Sequence, residues 1–175
     1  VGGELTGATT GAVVVNSGKL TGATTGAVVV NSGSSFTMRD ISIEKNYNTT
    51  TAGGGVILRS GSTMTMNSGS VSGNRGVGGS GIYVEKNAEL TINGGAISGN
   101  RIAASAEGEA YSGAIKALGR VIMHGGEITG NEISRHWQLP AVYLTGDGAY
   151  FALNKGTISG NIRGYQTSRW YSYGP

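Results

Sequence analysis

The stretch LTINGGAISGN, Leu90 to Asn100, sets apolar residues at its first and third places, a Gly pair at a bend, and an Ile between small residues before a closing Gly-Asn. The same eleven-residue frame recurs without gaps as FTMRDISIEKN (Phe36 to Asn46), MTMNSGSVSGN (Met64 to Asn74), VIMHGGEITGN (Val121 to Asn131) and FALNKGTISGN (Phe151 to Asn161). Successive copies start 28, 26, 31 and 30 residues apart. A second block precedes each copy: VVVNSG at Val28, VILRSG at Val56, IYVEKN at Ile82, IKALG at Ile115 and VYLTGDG at Val142. Both blocks alternate apolar residues with a freer middle residue, the period of a half-buried strand.

Three short strands per repeat, with no helix between them, predict the coils of an all-β parallel β-helix, a β-solenoid stacked at about 4.8 Å per coil. Equivalent residues then form interior columns. One holds Phe36, Met64, Leu90, Val121 and Phe151, and another Met38, Met66, Ile92, Met123 and Leu153. A third holds Ile43, Val71, Ile97, Ile128 and Ile158. The remaining wall takes Val56, Ile82, Ile115 and Val142 with Leu58, Val84, Ala117 and Leu144. The ladder Asn46, Asn74, Asn100, Asn131 and Asn161 invites two readings, a row of carboxamides that binds a cation or sugar, or a corner whose stacked amides bond one another. The structural reading is preferred.

The doubled LTGATTGAVVVNSG, Leu5 to Gly18 and Leu20 to Gly33, shares the register of Gly54 to Gly61 through its GAVVVNSG half. Its fifteen-residue period predicts two short N-terminal coils, a tapered end ahead of about five full coils. The expected organisation is short coils over 1–35, main coils over 36–162 and an aromatic cap or linker over 163–175. In that last segment Tyr165, Trp170, Tyr171 and Tyr173 are placed to cover strand edges left open by the final coil.

Composition agrees with an ordered β chain. It holds 33 Gly and 2 Pro and is 13% charged, yet Val, Ile and Leu recur in patterned runs that a disordered chain lacks. The net charge of +3 is spread out, with no basic block to follow a phosphate backbone, so nucleic acid is not an expected partner. With no Cys, disulfides and thiolate metal sites are excluded. No apolar run reaches the roughly 18 residues of a membrane span. The start at Val1 reads as a mature form or a fragment.

Val71 to Asn74 (VSGN) followed by Gly78 to Val84 (GGSGIYV), and Ile97 to Asn100 (ISGN) followed by Ser112 to Ile115 (SGAI), resemble the FxxN and GGAI tandem motifs of polymorphic outer-membrane and adhesin-like surface proteins. The resemblance spans about Phe36 to Ile162, with Val or Ile at the Phe position. It implies a right-handed parallel β-helix in a secreted or cell-surface setting, and no catalytic residues.

The segments joining each Asn to the next strand vary in length: YNTTTAGGG, RGVGGSG, RIAASAEGEAYSGA and EISRHWQLPA. Stacked corners send them out along one edge, where binding insertions of solenoids gather. They carry the candidate binding residues Tyr47, Arg75, Arg101, Glu107, Glu109, Tyr111, Arg135, His136 and Trp137. Trp137 beside Arg135 and His136 suits a sugar ring, or packs as a lid for its own loop.

Three functions follow in order of preference. The first is an adhesin-like or structural stalk, presenting loops to a glycan or to another surface or matrix protein. The second is a polysaccharide-processing enzyme, which needs paired carboxylates. Its acidic residues would come from Asp40, Glu44, Glu85, Glu89, Glu107, Glu109, Glu127, Glu132 and Asp147. No Asp cluster marks a Ca²⁺ site, and His124 and His136 lack a nucleophile motif, so neither catalytic residues nor a cofactor or metal is expected. The third is ice or crystal-surface binding by Thr6, Thr9 and Thr10 in register with Thr21, Thr24 and Thr25.

Overall fold

The computed structural model describes residues 5–6, 12–15, 18–24, 26–48, 53–102, 114–132 and 141–162. The chain is a parallel β-solenoid, and no helix occurs among the described residues. Each coil contributes one short strand to each of three sheets. In chain order the first coil supplies β1 (Leu5–Thr6), β2 (Ala12–Val15) and β3 (Gly18–Thr21), and the second β4 (Val28–Val30), β5 (Ser35–Met38) and β6 (Ile41–Glu44). Next come β7 (Val56–Leu58), β8 (Thr63–Met66) and β9 (Ser70–Ser72), followed by the two-residue β10 (Arg75–Gly76). The fourth coil holds β11 (Ile82–Val84), β12 (Glu89–Ile92), β13 (Ala96–Ser98) and the short β14 (Arg101–Ile102). Then follow β15 (Ile115–Ala117), β16 (Arg120–Met123) and β17 (Glu127–Thr129), and last β18 (Val142–Leu144), β19 (Tyr150–Leu153) and β20 (Thr157–Ser159).

The three sheets have six strands each: β1-β4-β7-β11-β15-β18, β2-β5-β8-β12-β16-β19 and β3-β6-β9-β13-β17-β20, with β10 and β14 forming a narrow fourth. The eleven-residue frame sets the register, since Phe36, Met64, Leu90, Val121 and Phe151 pair in succession. Strands of two to four residues cannot bury an apolar face alone; stacking makes the core continuous. Phe36, Met64, Leu90 and Val121, their neighbours Met38, Met66, Ile92 and Met123, and Ile43, Val71, Ile97 and Ile128 are all buried in it. In the final coil Phe151 and Ile158 are only partly buried, while Leu144 and Leu153, expected inside, are 38% and 49% exposed. No coil among the described residues stacks beyond them.

The N-terminal end corrects the expectation of two short coils. Leu5 pairs with Val28, Ala12 with Ser35 and Gly18 with Ile41, an offset of 23 residues each time. The two copies of Val-Val-Val therefore lie in different sheets, Val13–Val15 beside Phe36–Met38 and Val28–Val30 beside Val56–Leu58. The two Leu-Thr pairs, likewise, lie in β1 and β3. A fifteen-residue unit is too short to supply all three walls, so pieces of both units combine into one coil. Thr6 stands beside Val29 and Thr21 beside Glu44, so this pair of the expected ice-binding array is not stacked, while Thr9, Thr10 and Thr25 lie outside the described residues.

The residue before each ladder asparagine is left-handed throughout: Lys45, Gly73, Gly99, Gly130 and Gly160 have φ of 55, 60, 60, 62 and 59°. Ile41 is an interior residue that the repeat did not predict. It stands where later copies have Gly69 and Gly95; the positive φ moves back to Asp40 (49°), and the Ile side chain is buried.

Ser34, Ser62 and Ala88 occupy successive coils at the turn into the second sheet, and all three are buried. Among described residues Ser62 Oγ is the buried side-chain polar atom without a hydrogen-bond partner. Leaving such a group unpaired costs about 1–3 kcal/mol. Ser62→Ala, the residue used one coil later, should therefore raise stability by about 1 kcal/mol, read from the urea midpoint; a loss of that size would show an overlooked bond.

Candidate functional site along the asparagine edge

The five ladder asparagines form one continuous hydrogen-bond chain. Nδ2 of Asn46, Asn74, Asn100 and Asn131 each donates to Oδ1 of the next, at 2.9, 3.0, 2.9 and 2.8 Å. The backbone N–H of each of those four donates to the same oxygen, at 3.0 to 3.1 Å. The second Nδ2 proton of Asn74, Asn100, Asn131 and Asn161 reaches back to the carbonyl of Ile43, Val71, Ile97 and Ile128, 2.9 Å in each case. At the N-terminal end Ala23 N–H donates to Asn46 Oδ1 at 3.0 Å in place of a further asparagine. Asn46, Asn74, Asn100 and Asn131 are buried and their amides are committed to these bonds. The ladder is a wall: Oδ1 of Asn74, Asn100 and Asn131 each already accepts two bonds and their Nδ2 protons are spent, so these buried carboxamides offer neither acceptors to a cation nor donors to a sugar.

Small residues pack on this wall. A methyl at Gly55 or Gly81 would lie 3.0 Å from Nδ2 of Asn74 or Asn100 respectively. Ala27, Ala114 and Ala141 hold the equivalent place in other coils, just ahead of the first-sheet strands. The two tandem motifs seen in the sequence thus meet in space, the small residue of one covering the amide of the other.

Just past the ladder the chain turns outward. Tyr47 bridges to Arg75, Arg75 pairs with Arg101, and Glu132 N–H donates to Asn100 C=O one coil further on. Tyr47, Arg75 and Arg101, three predicted binding residues, therefore share one column. Arg75 and Arg101 are exposed and Tyr47 is half-buried. Arg101 Nε lies 3.8 Å from Glu132 Oε2. Lys45, Tyr47, Gly73 and Arg75 line a shallow, open depression. Lys45 is absent from the residues expected on sequence grounds; its signal is the EKN ending of the first block, where a side chain replaces the usual Gly.

Glu107, Glu109, Tyr111, Arg135, His136 and Trp137 lie outside the described residues. The described carboxylates mostly serve cross-coil contacts. Glu44 pairs with Lys19 at 2.6 Å, Glu85 with Arg59 at 2.7 Å and Glu89 with Arg120 at 3.3 Å, while Ser68 Oγ donates to Asp40 at 2.8 Å. The hydrogen bond from Lys19 holds the Glu44 carboxyl below its ordinary range. His124 Nδ1 meets Asn154 Nδ2 at 3.2 Å. Among described residues no three His, Asp or Glu side chains converge as metal ligands.

A second outward column was hidden in the free middle position of the first-sheet strands. Tyr83, Lys116 and Tyr143 are in register, with Lys116 Nζ 6.0 and 5.9 Å from the two ring centroids. Burial pushes the Lys116 ammonium down in pKa and, with Glu85 adding to it, the Tyr83 phenol up. No family model, curated protein or solved structure matches the chain.

Proposed function

We propose that this chain is a rigid extracellular or cell-surface module, adhesin-like in use, whose stacked coils present the loops of the asparagine edge to a glycan or another surface protein. One observation carries the reading. The eleven-residue frame keeps its length in all five copies, whereas the connections leaving the ladder run from seven to fourteen residues. Most of the length variation thereby falls on one edge of a hydrogen-bonded frame, since the segment from the start of the first-sheet strand to the frame varies only from six to nine residues; this is the arrangement by which solenoids support binding loops.

Exchanging residues 103–113 for a short Gly/Ser connection of the kind found from Gly76 to Gly81 tests it. Loop shortening costs a frame of this kind little, since closure entropy changes slowly with length. The melting temperature should stay within a few degrees, while signals on a glycan array or attachment to cells fall. Full retention of glycan and cell binding by the shortened chain would remove this reading.

A further inference from the structure

We infer that Lys45, Tyr47, Arg75 and Arg101 form a binding site for a linear polysaccharide bearing oxyanions, either carboxylate or sulfate. The inference rests on the loop-presenting reading and names the ligand chemistry of the same edge.

Charge placement is the first ground. Cross-coil ion pairs elsewhere join opposite signs: Lys19 with Glu44, Arg59 with Glu85, and Arg120 with Glu89. On the asparagine edge Arg75 and Arg101 stand directly opposite each other on β10 and β14. Like charges so placed on adjacent strands destabilise a sheet. Glu132 approaches only Arg101, at 3.8 Å, and neither Arg75 nor Lys45 joins an ion pair among the described residues. An anion lying along the column removes that repulsion.

Shape is the second ground. Gly73 contributes no side chain to the depression between Lys45, Tyr47 and Arg75, so space is open beside the cations. The half-buried Tyr47 supplies an apolar ring face and a hydroxyl to a sugar. Guanidinium groups pair with carboxylate or sulfate through two parallel N–H···O bonds. Coils repeat at about 4.8 Å, so Arg75 and Arg101 follow one another in one column with Tyr47, and Lys45 lies two residues to the side on the preceding coil, a spread that suits a chain of anions rather than one ion. Three cations are too few for the phosphate tracking that nucleic acid binding requires.

The test is titration of the whole chain with heparin, polygalacturonate, neutral dextran and single-stranded DNA at low and physiological salt. Binding to the first two, weakening with salt and absent for dextran, is expected. The double variant Arg75→Gln, Arg101→Gln should lose about tenfold or more in affinity, the scale of two charge-assisted contacts. Its melting temperature should hold or rise, because the like-charge contact is gone. Arg39→Gln, which removes an exposed cation elsewhere, should bind as the parent does. Unchanged polysaccharide binding by the double variant would overturn the site while leaving the loops as the binding element. DNA bound as tightly as the polysaccharides would overturn it too, as nonspecific attraction. If neither charged polysaccharide binds, the site is again wrong, whereas cell attachment through the loops stands or falls by the loop exchange.

Discussion

Asn100→Ala should lower the melting temperature by about 10 °C, corresponding to a loss of roughly 3–5 kcal/mol. The side chain is fully buried at the middle of the ladder. Its Oδ1 accepts from Asn74 N and Nδ2, both at 3.0 Å, and its Nδ2 donates to Val71 C=O and Asn131 Oδ1, both at 2.9 Å. Truncation leaves the Asn74 N–H and one Asn74 Nδ2 proton without their acceptor and takes one bond from the Val71 carbonyl, where water does not reach. Each such orphan costs about 1–3 kcal/mol, well above the net worth of an exposed hydrogen bond.

Asn100→Asp separates the role of the donors from that of shape. An ionised carboxylate there would set an oxygen against the Val71 carbonyl and Asn131 Oδ1, both acceptors. Its pKa in the folded state must therefore lie above the unfolded value of about 3.9. Stability relative to the parent is then least impaired below that unfolded pKa and falls as pH rises through the folded one. Melting curves at several pH values check the sign. A parent-like melting temperature for both variants at neutral pH would show that the ladder is not a main support of the stack.

The second large effect is expected at Gly95, and its measure is the contrast with Gly99 four residues away. A methyl on Gly95 would sit 2.5 Å from the Gly69 carbonyl oxygen and 2.6 Å from Met66 Cε, at a φ of +87°. Met66 can move, but the Gly69 oxygen accepts the 3.0 Å bond from Ala96 N–H that helps hold two coils together. Gly95→Ala should cost about 3 kcal/mol or more, from left-handed strain plus the overpacked coil contact. At Gly99 the φ is also left-handed, +60°, yet the nearest atom to an added methyl is 3.9 Å away. Lys45 already occupies the equivalent place at φ 55°. Gly99→Ala should therefore cost only the conformational term, about 1 kcal/mol. Denaturant midpoints of the two variants compare them directly, and equal losses would mean that backbone strain alone governs both positions.

These two glycines show where sequence reading stops. Both lie in one GGAISGN stretch and look equally permissive on paper. What separates them is the backbone of the preceding coil, which approaches one and not the other. The ladder asparagines were recognisable by their fixed place, whereas the routing of each amide proton, one onward and one back, depends on the stacking distance. The doubled N-terminal unit misled because apolar-x-apolar is the pattern of both the first-sheet and second-sheet walls; Val13–Val15 and Val28–Val30 are identical in sequence and differ only in which strand lies beside them.

The sequence by itself determined the strand period, the eleven-residue frame and the interior columns, because alternation and repetition are local properties that burial then enforces. Tertiary structure alone decided which wall each N-terminal segment joins, where Ile41 points, and which charges meet. Arg75 and Arg101 are 26 residues apart in the chain, yet face each other on adjacent strands because one coil returns the backbone to the same edge. That return is set by the summed lengths of strands and turns, a global quantity that no short window of residues carries.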